Sequence, residues 1–205
     1  MRVKIKICGL TRMEDIDAVN AAKPDYIGFV FAESQRKITP ALAAELRGAL
    51  CEGITPVGVF VNESHEKILA LVRDGVIDFI QIHGTEDEDF IVALKAQTGA
   101  PIIKAVSVQK ADDTQAWENS AADYLLLDHK GGGTGEAFDW NLIGKLKKPF
   151  FLAGGLTTQN VSSALKKLQP FAVDVSSGVE ISPGIKCSNK IREFCLTCCQ
   201  PCEKT

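Results

Sequence analysis

The run PFFLAGGLTTQNVSSALKKLQPFAVDVSSGV at residues 149–179 decides the fold class. Its two ends, 149–153 and 171–175, are short and rich in aromatic and β-branched residues, as strands are. The Ala/Leu/Lys stretch between them has the composition of an amphipathic helix. A strand, a helix and a second strand in so short a span form a βαβ unit, whose strands lie parallel. Each strand then runs into small residues, Ala153-Gly154-Gly155-Leu156 and Ser176-Ser177-Gly178-Val179.

Outward from this unit the same alternation repeats to the N-terminus, with strand candidates at 3–8, 26–31, 56–61, 78–82, 101–106 and 123–127. Each is followed by a helix candidate. Thr11 with Glu14 and Thr85 with Glu88 have capping-box spacing, and Thr39 stands ahead of a first-turn Pro40. Eight units in 205 residues leave about 26 residues each, enough for a (βα)8 TIM barrel and too few for a second domain. The expected architecture is α/β, one barrel over residues 1–205, with a Cys-rich tail from about 187. An open doubly wound sheet is the alternative. The first turn, Cys8-Gly9-Leu10-Thr11, lacks the Gly-rich dinucleotide fingerprint of that alternative.

Side chains alternate along a strand between the barrel interior and the helix layer. Lys4, Lys6 and Cys8 therefore share one face and Ile5 and Ile7 the other. Gln81 goes with His83, Leu126 with Asp128, and Asp174 opposes Val173 and Val175. If the barrel closes, the first and last strands are neighbours, and an inward Lys6 or Lys4 pairs with Asp174.

With 45% hydrophobic residues, 23 basic against 26 acidic side chains and a net charge of -3, the composition is that of a globular chain. It provides no basic field for nucleic acid or an anionic membrane, and no apolar run approaches the ~20 residues of a membrane span. The expected location is the cytoplasm, as a monomer or homodimer. Seven Cys, five of them crowded at the C-terminal end (Cys187, Cys195, Cys198, Cys199 and Cys202), are unlike a disulfide framework. The expectation there is a frayed last helix with free thiols and no metal.

Barrel sites lie at the C-terminal ends of the strands, and the loops after strands seven and eight commonly hold phosphate. Gly154 and Gly155 after one, and Ser177 and Gly178 after the other, let backbone N–H groups approach an anion. A small phosphorylated substrate follows. Cys8 and Asp128 end strands one and six on the inward parity and form a candidate base and acid, nearby lysines being expected to lower the Cys8 pKa. Arg36 in the Ser34-Gln35-Arg36-Lys37 loop is a candidate carboxylate clamp. His83 ends strand four facing inward as a possible substrate contact; His65 reads as surface, and His129 falls in a Gly-rich loop with its role open.

The residues KICGLT at 6–11, GFVF at 28–31, Ser34-x-Arg36, VGVFVN at 57–62, QIHG at 81–84, LLLD at 125–128, GGTG at 132–135, Phe138-Asp139-Trp140, LAGGL at 152–156, VDVSSGVE at 173–180 and SPGIK at 182–186 occur in order. In these the chain resembles the phosphoribosylanthranilate isomerases of tryptophan biosynthesis, to about Lys186. The resemblance implies a (βα)8 barrel performing a cofactor-free Amadori rearrangement. It also implies Asp128 as general acid at the furanose oxygen, Cys8 as base at C2′, Arg36 on the anthranilate carboxylate, and the Gly155 and Ser177-Gly178 loops on the phosphate. A histidine-pathway isomerase, built on two Asp, fits less well because Cys8 replaces one of them. The family usually continues after PGxK with an acidic residue where this chain has Cys187, and Ser188 is expected to take over the cap.

Overall fold

The computed structural model describes residues 2–110, 112–128, 139–144 and 146–199. Eight parallel strands close a barrel in chain order: β1 (Lys4–Cys8), β2 (Tyr26–Val30), β3 (Thr55–Phe60), β4 (Phe79–Ile82), β5 (Ile102–Ser107), β6 (Tyr124–Asp128), β7 (Phe150–Leu152) and β8 (Ala172–Val175). Closure is made by β1 against β8, with Lys6 directly opposite Asp174. Every expected strand is present with its ends within one residue of expectation.

The alternation is borne out strand by strand. Ile5, Ile7, Leu125, Leu127, Leu152, Val173 and Val175 face outward into the core beneath the helices. Leu126, Phe151 and Ala172 face inward with Tyr26, Val57 and Ile103. The N-terminal end of the interior is plugged by Tyr26, Phe79, Tyr124, Phe151 and Phe171, whose ring centroids lie between 4.9 and 6.1 Å apart. Buried rings of this size supply most of the interior's apolar area and pair best edge-on or offset. With that end filled, the barrel interior opens at the C-terminal rim.

The helices are α1 (Met13–Ala22), α2 (Pro40–Gly48), α3 (His65–Arg73), α4 (Glu88–Lys95), α5 (Asp112–Gln115), α6 (Val161–Leu168) and α7 (Ser188–Cys199). Thr39 caps α2 as expected, accepting from the Leu42 N–H. The other two capping boxes are displaced. At α1 the Asp15 carboxylate takes the N–H groups of Thr11 and Arg12, and at α4 Asp87 takes that of Phe90. A carboxylate in the first turn also favours the helix dipole, which a threonine does not. Between β6 and β7 the described residues hold a 3-10 turn, Trp140–Leu142, rather than an α-helix. A two-stranded hairpin, β9 (Glu180–Ser182) with β10 (Ile185–Lys186), follows β8 and was not expected.

The Cys-rich segment is not frayed up to Cys199. Ile191, Phe194, Cys195 and Cys198 form one buried stripe at helical spacing, and α7 packs this face against α1 and the barrel. Burying Ile191 and Phe194 contributes roughly 1.5–3 kcal/mol each, which holds the last helix down. The helix begins at Ser188, and the Cys187 carbonyl accepts the Ile191 N–H, so Cys187 and not Ser188 occupies the cap position. The described cysteines are free thiols, and no group of three or more His, Cys, Asp or Glu among the described residues is arranged to hold a metal. No described helix is long and apolar enough to cross a membrane.

Candidate active site

Above the plugged floor, a cavity of about 470 Å³ opens at the C-terminal rim, lined by Cys8, Arg36, His83, Asp128, Gly154, Gly155, Asp174 and Ser177 among others. Expected site residues from six of the eight βα units therefore meet around a single space. Gly178 does not line it. A side chain there would strike the Leu156 carbonyl, so its place is beneath the strand-seven loop, where it lets the two phosphate-loop candidates touch. His129 and the GGTG segment at 132–135 lie outside the described residues, as does Cys202.

Cys8 ends β1 with its thiol over Gly28, where an added Cβ would stand 2.6 Å from Sγ; glycine makes the room the thiol occupies. Its charge environment differs from the expectation. Burial pushes the Cys8 pKa up, and the nearby Lys6 and Lys186 ammonium groups, which pull it down, do not overcome burial together with Asp174. The balance favours the neutral thiol of Cys8 over its thiolate in the ligand-free protein.

The ion pair expected across the closing seam is present: Lys6 Nζ lies 3.0 Å from Asp174 Oδ2 and is fully buried. Lys4 instead reaches outward to Asp25, at 2.8 Å. Asp174 keeps its other oxygen, Oδ1, buried and without a hydrogen-bond partner among the described residues, at the edge of the cavity. Buried polar atoms are normally satisfied, so this one is a ready acceptor for a ligand hydroxyl. Sequence reasoning had assigned Asp174 to the ion pair alone.

Arg36 is not loose in its loop. Its Nε and Nη2 donate to Glu180 Oε1 and Oε2, each at 2.8 Å, and Lys186 Nζ donates to Glu180 Oε1 at 2.7 Å. A guanidinium has five N–H, so this side-on grip uses two and leaves the Nη1 end for a second carboxylate. Burial pushes the Glu180 pKa up, but the Arg36 and Lys186 hydrogen bonds and charges more than offset it and hold the carboxyl below its ordinary 4.5. Glu180 and Lys186 fall inside two of the quoted motifs, yet their bond runs between the hairpin strands and had no signal in linear order.

His83 faces inward as expected, with Nδ1 2.8 Å from Gln81 Nε2 and Nε2 3.6 Å from Asp128 Oδ2. His65, read as surface, is half-buried, its ring tilted 53° against that of Phe90 at 4.1 Å between centroids and its Nε2 3.1 Å from the Phe90 carbonyl oxygen.

A closed (βα)8 barrel whose C-terminal rim gathers a thiol, a carboxylate, a braced arginine and two small-residue loops defines an acid–base enzyme of the TIM-barrel class. A family model for "N-(5'phosphoribosyl)anthranilate (PRA) isomerase" matches residues 5–196, and the chain belongs to that family. An N-(5'-phosphoribosyl)anthranilate isomerase of Endomicrobium trichonymphae is 48% identical over 93% of this chain and 95% of its own length. The phosphoribosyl anthranilate isomerase of Thermus thermophilus superposes with a TM-score of 0.86 at 32% identity, covering 95% of this chain and 98% of that one. A further isomerase, solved in complex with reduced 1-(o-carboxyphenylamino)-1-deoxyribulose 5-phosphate, superposes at 0.83 with 35% identity, covering 96% and 98% of the two chains.

Proposed function

We propose that this member of the family converts N-(5-phosphoribosyl)anthranilate to 1-(2-carboxyphenylamino)-1-deoxyribulose 5-phosphate, with Asp128 as acid and Cys8 as base. The observation that carries the reading is the placement of these two groups on one cavity that also presents Arg36 and Gly154-Gly155. A substrate with a carboxylate at one end and a phosphate at the other suits such a pair of anchors, and anchoring both ends converts binding into orientation.

Protonated Asp128 gives its proton to the furanose ring oxygen. The C1′–O bond breaks, and the anilino nitrogen lone pair forms the C=N bond of an iminium. As the iminium charge forms, the Cys8 thiol releases its proton to solvent; the thiolate then removes the C2′ proton, and that electron pair moves into a C1′=C2′ bond to give the enolamine. C1′ takes a proton from solvent as the 2′-hydroxyl gives one to the Asp128 carboxylate, leaving the ketone, a protonated Asp128 and the Cys8 thiol of the free enzyme. The raised Cys8 pKa fits this order of events. The iminium charge favours thiolate just when a base is needed, whereas the free enzyme keeps a neutral thiol in its buried site. Acid and base terms of this kind are worth ~10²–10⁴-fold each.

The test is the loss of anthranilate fluorescence when phosphoribosylanthranilate, generated in situ from anthranilate and phosphoribosyl pyrophosphate, meets the protein. Turnover should vanish in Asp128→Asn and fall strongly in Cys8→Ser. Folded wild-type protein without turnover would overturn the reading.

A further inference from the structure

Beneath Asp128 runs a chain of buried polar contacts that these steps do not use. Lys6 Nζ donates to Asp174 Oδ2 at 3.0 Å and to Gln81 Oε1 at 2.8 Å. Gln81 Nε2 lies 2.8 Å from His83 Nδ1, and His83 Nε2 lies 3.6 Å from Asp128 Oδ2. The direction of each link follows from the first. An ammonium has three N–H groups and no acceptor, so only the Gln81 carbonyl can face it. The amide NH₂ is thereby turned toward His83, and an NH₂ can only donate. His83 Nδ1 must then accept with its lone pair, which in a neutral imidazole leaves the ring proton on Nε2. Lys6 itself stays charged: burial pulls its pKa down, but the Asp174 carboxylate, hydrogen-bonded 3.0 Å away, pulls it back above the ordinary 10.5.

We propose that Lys6 and Gln81 are positioning residues that lock His83 as its Nε2–H tautomer, so that a neutral N–H donor faces Asp128. The catalytic half of this inference rests on the reading of Asp128 as the acid; the tautomer half stands without it. Neutrality is the point of the arrangement. An imidazolium beside Asp128 would attract its carboxylate form and strip the proton the reaction needs. Protonating Nδ1 would set an N–H against the Gln81 NH₂, so the same lock that orients the ring opposes its charging. A neutral donor leaves Asp128 able to hold a proton and steadies the carboxylate once that proton has gone. The 3.6 Å separation is too long for a hydrogen bond in the ligand-free state. Catalytic contacts of this kind commonly tighten when substrate binds.

The experiment is long-range ¹⁵N–¹H correlation NMR on histidine-labelled protein at neutral pH without substrate. The chain has 3 His, and His83→Gln identifies the relevant ring. The expected spectrum shows His83 with a protonated Nε2 and a bare Nδ1; a protonated Nδ1, or an imidazolium, would overturn the proposal. Gln81→Glu keeps the shape but offers Nδ1 an acceptor, so the ring proton should move to Nδ1 or the ring should become charged. kcat should then fall at least ~10-fold, within the range of a general acid's contribution, while KM changes little. An unchanged tautomer in folded Gln81→Glu overturns the lock, and a shifted tautomer with unchanged kcat overturns its catalytic use. His83→Gln, whose amide N–H reaches the Nε2 position, should retain more activity than His83→Leu; equal loss in both counts against the donor role. Should Gln81→Glu fail to fold, the wild-type spectrum alone decides. The expected spectrum in a protein without isomerase turnover would refute the function and leave the lock standing.

Discussion

Replacing Lys6 by methionine tests the electrostatic seam of the barrel. Methionine nearly matches the length of the lysine stem and keeps its apolar contacts, but removes the cation that lies 3.0 Å from Asp174 Oδ2. Asp174 is only 9% exposed, and its Oδ1 already lacks a partner among the described residues, so the variant strands a nearly buried carboxylate. Breaking such a pair from one side costs about 3–5 kcal/mol. For a chain of this size each kcal/mol lowers Tm by roughly 2–4 °C, giving a drop of about 6–20 °C. Urea unfolding at pH 7 measures the loss directly. Lys6→Met/Asp174→Asn removes both charges and should be more stable than Lys6→Met alone, since contacting residues couple. The pH dependence has a definite sign. A lysine pKa raised above 10.5 in the folded state contributes stability that is whole below about pH 10 and is lost as pH climbs through the folded value. Lys6→Met should therefore flatten part of the alkaline decline. A loss under ~1 kcal/mol, or a double variant as unstable as the two single costs added together, would refute the reasoning.

Glu180→Gln removes the carboxylate that grips Arg36 and should raise KM for the anthranilate-bearing substrate about 10-fold with a smaller change in kcat, measured by steady-state fluorescence, because one charge-assisted contact is worth about 1.5–3 kcal/mol. Gly28→Ala puts a methyl group 2.6 Å from Cys8 Sγ; kcat should fall by about 10²-fold or more, as displacing a catalytic group by 1 Å can, and an active variant would show the thiol is not held there. Cys195 and Cys198 are buried, and burial pushes each pKa up to about 12. A thiol reagent at pH 8 should modify exposed Cys51 and Cys199 in the native protein and reach Cys195 and Cys198 only on unfolding, as peptide mapping by mass spectrometry would report. Those two thiols also contribute stability that is whole below about pH 9 and declines toward pH 12, adding to the alkaline loss.

Much of the barrel was legible because its signals are local. A β-branched run buried on both faces reads as a strand wherever it sits, and a period of two assigns Ile5 and Ile7 to the helix layer and Lys6 to the interior without any neighbour being known. Closure converted that parity into a specific contact, Lys6 with Asp174. The cap of α1 was misread because Thr11 and Glu14 and the pair Arg12 and Asp15 have the same spacing. Only the path of the chain shows which carboxylate meets the free N–H groups. Glu180 gripping Arg36, 144 residues away, leaves no mark in linear order. The direction of the Cys8 pKa shift depended on how much burial opposes two lysines, a balance that composition cannot supply. The apolar stripe at Ile191, Phe194, Cys195 and Cys198 was readable at helical spacing, but counting those cysteines as a thiol cluster hid it.

The seam between β1 and β8 also sets a clock for the growing chain. β1 emerges from the ribosome first, yet its partner at Ala172–Val175 is made more than 160 residues later. At about 5–20 residues per second that is a wait of roughly ten to thirty seconds with one edge of the nascent sheet unpaired. Exposed strand edges invite pairing with other chains, and charged side chains on the edge, lysine above all, deter it. Lys4 and Lys6 stand on that waiting strand, so the charge that later seals the barrel also guards its edge while the rest of the molecule is being synthesised.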